Sequence, residues 1–197
     1  MNQLPALGAA FEGGFFGDRF TMNGQVYGVI WAPKSLGQTK GTWLPTYTAV
    51  PAARSCVDSM ANTVAMAEAG SEIAKWALGL DIDGRKDWCI PARDILELAY
   101  RRFKPSSAEN AASFRDGDNA SSIPVGYPYT EELPAQTEIE AFRDGGPEAF
   151  DQVYHWSSTQ YSEDLAFFQG FYDGYQHGYD EEASLSVRAV RLIQLTA

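Results

Sequence analysis

Residues 156–193 read WSSTQYSEDLAFFQGFYDGYQHGYDEEASLSVRAVRLI. Two runs in or overlapping this stretch have strand character, Ala166–Tyr172 and Leu185–Leu195. They enclose a segment dense in aromatics that sit beside Gly and Asp rather than beside other apolar residues. Tyr and Phe in that company give large contact area at low side-chain entropy cost, the composition of a recognition loop. The candidate ligand-binding residues are therefore Tyr161, Phe168, Tyr172, Asp173, Tyr175, Gln176, His177 and Tyr179. The stretch predicts a chain that ends in antiparallel strands and carries its working surface on them. Strand alternation places Phe167, Gln169 and Phe171 on one side and Phe168, Gly170 and Tyr172 on the other.

The length of 197 residues suits one domain spanning 1–197 with a sizeable core. A net charge of −11 argues against a nucleic-acid partner, because phosphate binding needs a clustered basic surface. It equally disfavours an anionic membrane surface. The opening MNQLPALGAAFEGG has no basic segment followed by an apolar core, so no secretory signal is read there. No window approaches the ~18 apolar residues of a membrane span. The two cysteines, Cys56 and Cys89, make no metal or redox pattern and are read as small buried hydrophobes of a chain made in a cytoplasm.

Residues 1–14 are read as an extended arm against a partner subunit. Phe15–Phe20 and Gln25–Ala32 flank Met22-Asn23-Gly24, and Asn-Gly between apolar runs predicts a hairpin, closed by Pro33. A first helix is expected over Ser55–Glu68. Ser55 and Asp58 would form its capping box, and Val57, Met60, Ala61 and Val64 its apolar stripe. Gly70 ends it, and Ser71 caps a short continuation through Ile73, Trp76 and Leu78. Asp81-Ile82-Asp83-Gly84 misses the calcium-loop spacing and is read as a tight turn. Trp88-Cys89-Ile90 is a short buried strand stopped by Pro91. A second helix follows over Ala92–Phe103, with Ile95, Leu98, Ala99 and Phe103 inside and Arg93, Glu97 and Arg101 outside. Arg101, Arg102 and Lys104 are read as its solvated end.

Residues 105–152 hold many loop signals, with Phe114, Tyr127, Tyr129, Phe142 and Phe150 to tack them down and a helical turn or two within Thr137–Arg143. Asp116, Asp118 and Asn119 offer oxygen ligands, so calcium is an alternative there, although Asx-turns explain the same residues. No other cofactor is expected. Arg188 and Arg191 read as partners for acids. Ser157, Ser158, His155 and His177 lie in no nucleophile-elbow or metal-ligand spacing, so the expectation is a protein that is not an enzyme.

The Trp88–Tyr100 block and the closing Trp156-Ser157-Ser158-Thr159, Phe171, Asp173-Gly174 and Val187-Arg188-Ala189-Val190-Arg191 together resemble the Lcl C-terminal domain family. The likeness is to its stand-alone phage and prophage type. FFGDRFTMNGQVYGVIWAPK, ANTVAMAEAGS, SFRDGDN and VGYPYTEELPAQT extend the resemblance over nearly the whole chain. The family's first motif runs closer to W-R-L-P-T-R-D-E-L. Cys89, Ile90, Ala92 and Ile95 depart from it, and Ala92 removes a helix-capping hydroxyl, a loss of ~1 kcal/mol if uncompensated.

The resemblance implies an α+β fold of C-type lectin-like form. Two main helices would pack on small antiparallel sheets, with N- and C-terminal strands paired. It implies adhesion or receptor recognition, in phage as a tail-associated virion protein that contacts a bacterial surface receptor and other tail proteins, without membrane insertion. Self-association, with a trimer as the expected state, would give avidity. The family's pattern also makes Phe167 and Phe171 the core pair, which leaves Phe168 and Tyr172 outward. Three readings of the aromatic stretch stay open: a ligand surface, packing under the long loop, and a subunit contact.

Overall fold

The computed structural model describes residues 4–111 and 119–195. The chain opens with β1 (Ala10–Phe11), β2 (Gly14–Met22) and β3 (Gln25–Trp31). The β2–β3 hairpin turns on Asn23 and Gly24, both at positive φ (52° and 74°), which is the conformation that made Asn-Gly a hairpin signal. The register slips between Phe16 and Asp18, at Gly17. A Cβ on Gly17 would lie 2.4 Å from the Trp31 ring, so only glycine lets that indole lie against the bulge.

A one-turn helix α1 (Lys34–Gly37) leads into β4 (Gln38–Gly41). Three further helices follow: α2 (Ser59–Glu68), α3 (Glu72–Leu78) and α4 (Arg93–Phe103). After the short β5 (Ser122–Ile123) come β6 (Tyr154–Gln160), β7 (Leu165–Gly170), β8 (Gln176–Asp180), β9 (Leu185–Arg188) and β10 (Val190–Gln194). They form two five-stranded sheets. In the first the order is β1-β2-β3-β10 with β5 also on β2, and in the second it is β4-β9-β6-β7-β8. Every ladder is antiparallel except the single parallel pair His155↔Ser186 between β6 and β9. The architecture is mixed α+β, and the N-terminal hairpin pairs with the C-terminal strand as expected.

Several expectations need correction. The run Leu185–Leu195 is not one strand: it crosses from one sheet to the other at buried Ala189, whose N–H donates to Gly37 O. Helix α2 starts at Ser59, capped by Asp58, while Ser55 shapes the preceding turn by accepting from Val57 and Asp58 N–H. Its inner face is Ser59, Asn62, Thr63 and Met66, and Val64 is exposed. The reason is hydrogen bonding. Ser59 Oγ accepts from Ala92 N (2.8 Å), Thr63 Oγ1 accepts from Ile90 N (2.9 Å), and Asn62 closes on both backbone groups of Ser55. These hydroxyls serve the Trp88–Ala92 segment, which finds a strand partner at a single bridge, Cys89↔Val190.

Ala92 lacks a capping hydroxyl, yet two free donors of α4 are met from elsewhere. Thr159 Oγ1 accepts from Arg93 N (2.9 Å), and Cys56 O accepts from Asp94 N (2.9 Å). Ile95, Leu98, Ala99 and Phe103 of α4 are buried as predicted, but Glu97 and Arg101 are buried too. The 105–152 segment covers that side: Tyr129 Oη donates to Glu97 Oε1, and Arg101 lies over the Tyr127 and Tyr129 rings. Lys104 is also buried rather than solvated, its amine donating to Ala108 O, Asn110 Oδ1 and Pro134 O.

Residues 4–14 do not form a free arm. Gly8 N donates to Phe16 O, β1 pairs with β2, and Leu4 and Phe11 pack with Phe16, Ile30 and Trp88. One core lies between the first sheet and α4 around Trp31, Phe103, Phe150 and Phe171, and another between α2, α3 and the second sheet around Trp43, Ile73, Trp156 and Phe168.

Candidate functional site

The eight residues singled out on the final strands do not share one environment. Tyr161, Tyr172 and Tyr179 are exposed, at 45%, 60% and 41%. Asp173, Tyr175 and His177 are half-buried, and Phe168 and Gln176 are buried. Phe168 is therefore core, not surface, while Phe167 is half-buried with Tyr161 edge-on at 4.9 Å and the Arg93 guanidinium 5.2 Å from its centroid. Phe171 is core as expected, stacked on Phe150 at 4.3 Å.

Strand alternation ends with β7 and does not reach Phe171. Ala166 and Phe168 both belong to the second core, but the strand stops at Gly170. Phe171 then enters a turn and swings into the other core. A period of two holds only while the strand lasts. Asp173 shapes that turn, its Oδ1 accepting from Tyr175 N at 3.0 Å.

A strip of rings joins five of the eight, Tyr161, Phe168, Tyr175, His177 and Tyr179, to Tyr154. From Tyr161 the centroids step to His177 (5.6 Å), Tyr175 (6.2 Å), Phe168 (5.8 Å) and then Tyr154 (4.3 Å) and Tyr179 (5.6 Å). Gly178 makes room for it, since a Cβ there would sit 3.0 Å from the Tyr161 ring. Buried Phe168 and Trp156 lie under the exposed rings of Tyr154 and Tyr179, so those rings are held from behind.

Past Tyr154 the strip runs into a groove of about 710 Å³, which sequence reasoning missed. It lies at the start of β6 and β9, beside their one shared pair. Its wall and floor come from Lys34, Gln38 and Lys40, from Asp151, Val153 and Tyr154, and from the start of β9. Asp151 is fixed from two sides: Lys34 Nζ donates to Oδ1 (2.7 Å) and Gln38 Nε2 to Oδ2 (2.6 Å). Burial alone would raise this carboxyl, but the lysine and the amide outweigh it and hold it below the usual carboxylate range. Underneath, buried Arg188 pairs with Glu148, whose Oε2 also accepts from Lys34 N. His155 Nε2 lies 3.0 Å from Asp151 O, and burial pushes the imidazole down to about 4, so it is neutral at pH 7.

No local pattern could have exposed this groove, because its three segments lie far apart in sequence and meet only through the β4–β9 and β6–β9 pairings. Among the described residues no group of three His, Cys, Asp or Glu side chains could hold a metal ion, and no helix is long and apolar enough to cross a membrane. Of the calcium alternative, Asp116 and Asp118 lie outside the described residues. Asn119 Nδ2 donates to Asp94 O and Glu97 Oε2. The arrangement offers stacking surfaces and fixed hydrogen-bonding groups, which is equipment for recognition. The chain matches no model of a known protein family, and no curated protein matches it either.

Proposed function

We propose that this chain is a non-enzymatic recognition protein of C-type lectin-like fold, carried on the tail of a phage or prophage particle, that binds a bacterial surface receptor. The observation that carries the reading is the ring strip. Tyr154 and Tyr179 on β6 and β8 and Tyr161 just after β6 are exposed in the strip, with Tyr172 exposed on the turn after β7, and the rings of Tyr154 and Tyr179 are backed by buried aromatics. Rigid aromatics of this kind lose little entropy on binding and supply the anchors of many interfaces. The two sheets, the paired N- and C-terminal strands and the two longer helices α2 and α4 are in keeping with the proposed fold.

One observation favours a second reading, a structural tail protein whose strip docks a neighbouring subunit. Tyr179 lies on β8, which ends its sheet and leaves an edge for pairing. The test is saturable binding of fluorescently labelled protein to host bacteria, with its oligomeric state measured in parallel. Receptor binding predicts that a Tyr161→Ala, Tyr172→Ala, Tyr179→Ala variant keeps its oligomeric state and loses cell binding. Loss of the oligomer with no cell binding by the parent protein would instead establish the docking role.

A further inference from the structure

The groove beside Tyr154 carries a more specific chemistry than the strip. We propose that it is a subsite for a single neutral pyranose ring, with Tyr154 as the stacking platform and the Asp151 carboxylate accepting from neighbouring sugar hydroxyls. The inference rests on the recognition reading above and deepens it.

A pyranose has an apolar C–H face and a polar perimeter. The groove offers both kinds of surface, apolar at Val153, Tyr154 and Leu185 and polar at Gln38, Thr39, Ser184 and Asp151. One side of Tyr154 lies against Phe168, and 38% of the residue remains exposed. Asp151 accepts a single bond on each oxygen, from Lys34 and from Gln38, while an ionised carboxylate has about four acceptor sites. With 46% of its side chain exposed, the remaining sites can face a ligand. The carboxylate is already oriented, so little ordering is left to oppose binding.

Charge selects the class of sugar. A polyanion would meet the Asp151 carboxylate and a chain of net charge −11, and Lys34 is already committed to Asp151. A neutral ring meets no such opposition, and Lys40, exposed in the wall, adds a donor. The volume of about 710 Å³ leaves room for a ring and its neighbour in a chain, which could continue along the strip.

The test is two-dimensional NMR titration of the whole protein with the methyl glycosides of glucose, galactose and mannose and with N-acetylglucosamine. The expected result is saturable shifts at Thr39, Ser184 and Leu185 with at least one of them, unchanged by EDTA. Tyr154→Ala should weaken that binding about tenfold, as removal of an aromatic anchor does. Ser184→Trp adds an indole at the exposed rim of the groove and should do the same with the fold intact. Shifts confined to Tyr161 and Tyr172, or none with any sugar, would overturn the subsite. Parallel cell binding separates the two readings. Cells bound without groove shifts sinks the sugar site alone, and groove shifts without cell binding sinks the receptor role alone.

Discussion

Glu181 illustrates how much one buried side chain decides. It is fully buried, and its carboxyl takes one hydrogen bond, from Gln160 Nε2 at 2.9 Å, while Oε2 has no partner. The same Gln160 holds Val50 N and Thr48 O, so this acid sits where the 43–50 loop meets the β8–β9 turn. Burial raises its pKa from 4.5 to about 7, with Asp164 and Asp180 adding to the rise against the Gln160 hydrogen bond. The folded protein therefore holds a proton that the unfolded chain releases between those values. Stability contributed here is full below about pH 4.5 and is lost as pH rises through 7. The expected loss between pH 5 and pH 8 is on the order of 2–3 kcal/mol. Glu181→Gln should flatten that slope in urea unfolding measured at both pH values, and an unchanged slope would place the proton elsewhere. The opposite trend belongs to Asp87 and Asp151. Burial would raise each, but Arg191 and Lys34 respectively outweigh it, so their contribution fails only in stronger acid.

Among the elements, α2 and α4 mark the limit of what periodicity reveals. Helix α4 was legible because Ile95, Leu98, Ala99 and Phe103 repeat at helical spacing and all four are buried. Helix α2 was placed and its stripe read only in part: Val57 and Met60 pack against the first core, but Val64 is exposed, because the inner side is chosen by hydrogen bonds that a hydropathy pattern does not encode. Thr63 is the sharpest case: Oγ1 donates to Ser59 O and accepts from Ile90 N, a fully buried residue's donor. Thr63→Val keeps the volume and removes the acceptor. The expected cost is about 1–3 kcal/mol in unfolding free energy, the penalty of an unmet buried donor. Thr63→Ser should recover most of it, whereas a neutral Thr63→Val would mean Ile90 N–H finds another acceptor. The same limit explains β7. Alternation assigned Phe167 and Phe168 to the wrong sides, since the family pattern that fixed the phase assumed a strand continuous through Phe171. The hairpin and the Asp83-Gly84 turn were readable because their signals are local, both central residues adopting positive φ. The groove was unreadable because its parts are distant in the chain.

At the scale of the molecule, the two sheets are joined at the passage from β9 to β10, and Arg188 fastens it. Its Nε donates to Ala32 O at the end of β3, its Nη1 to Glu148 O (2.6 Å), and its Nη2 pairs with the Glu148 carboxylate. The Phe142 and Phe150 rings lie beside the guanidinium, with centroids 5.5 and 4.8 Å away. One side chain thus ties the first sheet, the second sheet and the long connecting segment, and Glu148 in turn holds the backbone of Lys34 at the groove floor. Arg188→Met replaces the cation with an apolar chain and leaves Glu148 and two carbonyls without their partner. The expected loss is about 3–5 kcal/mol, the usual penalty for breaking one side of a buried pair. Because the tie spans both sheets, the loss should lower one shared transition rather than release one sheet early. Trp31 reports on the first sheet, and Trp43 and Trp156 on the second. Fluorescence and far-ultraviolet dichroism should therefore follow the same urea curve in the variant, with a lower midpoint. Two separated curves would show that the sheets are independent units and that Arg188 does not couple them.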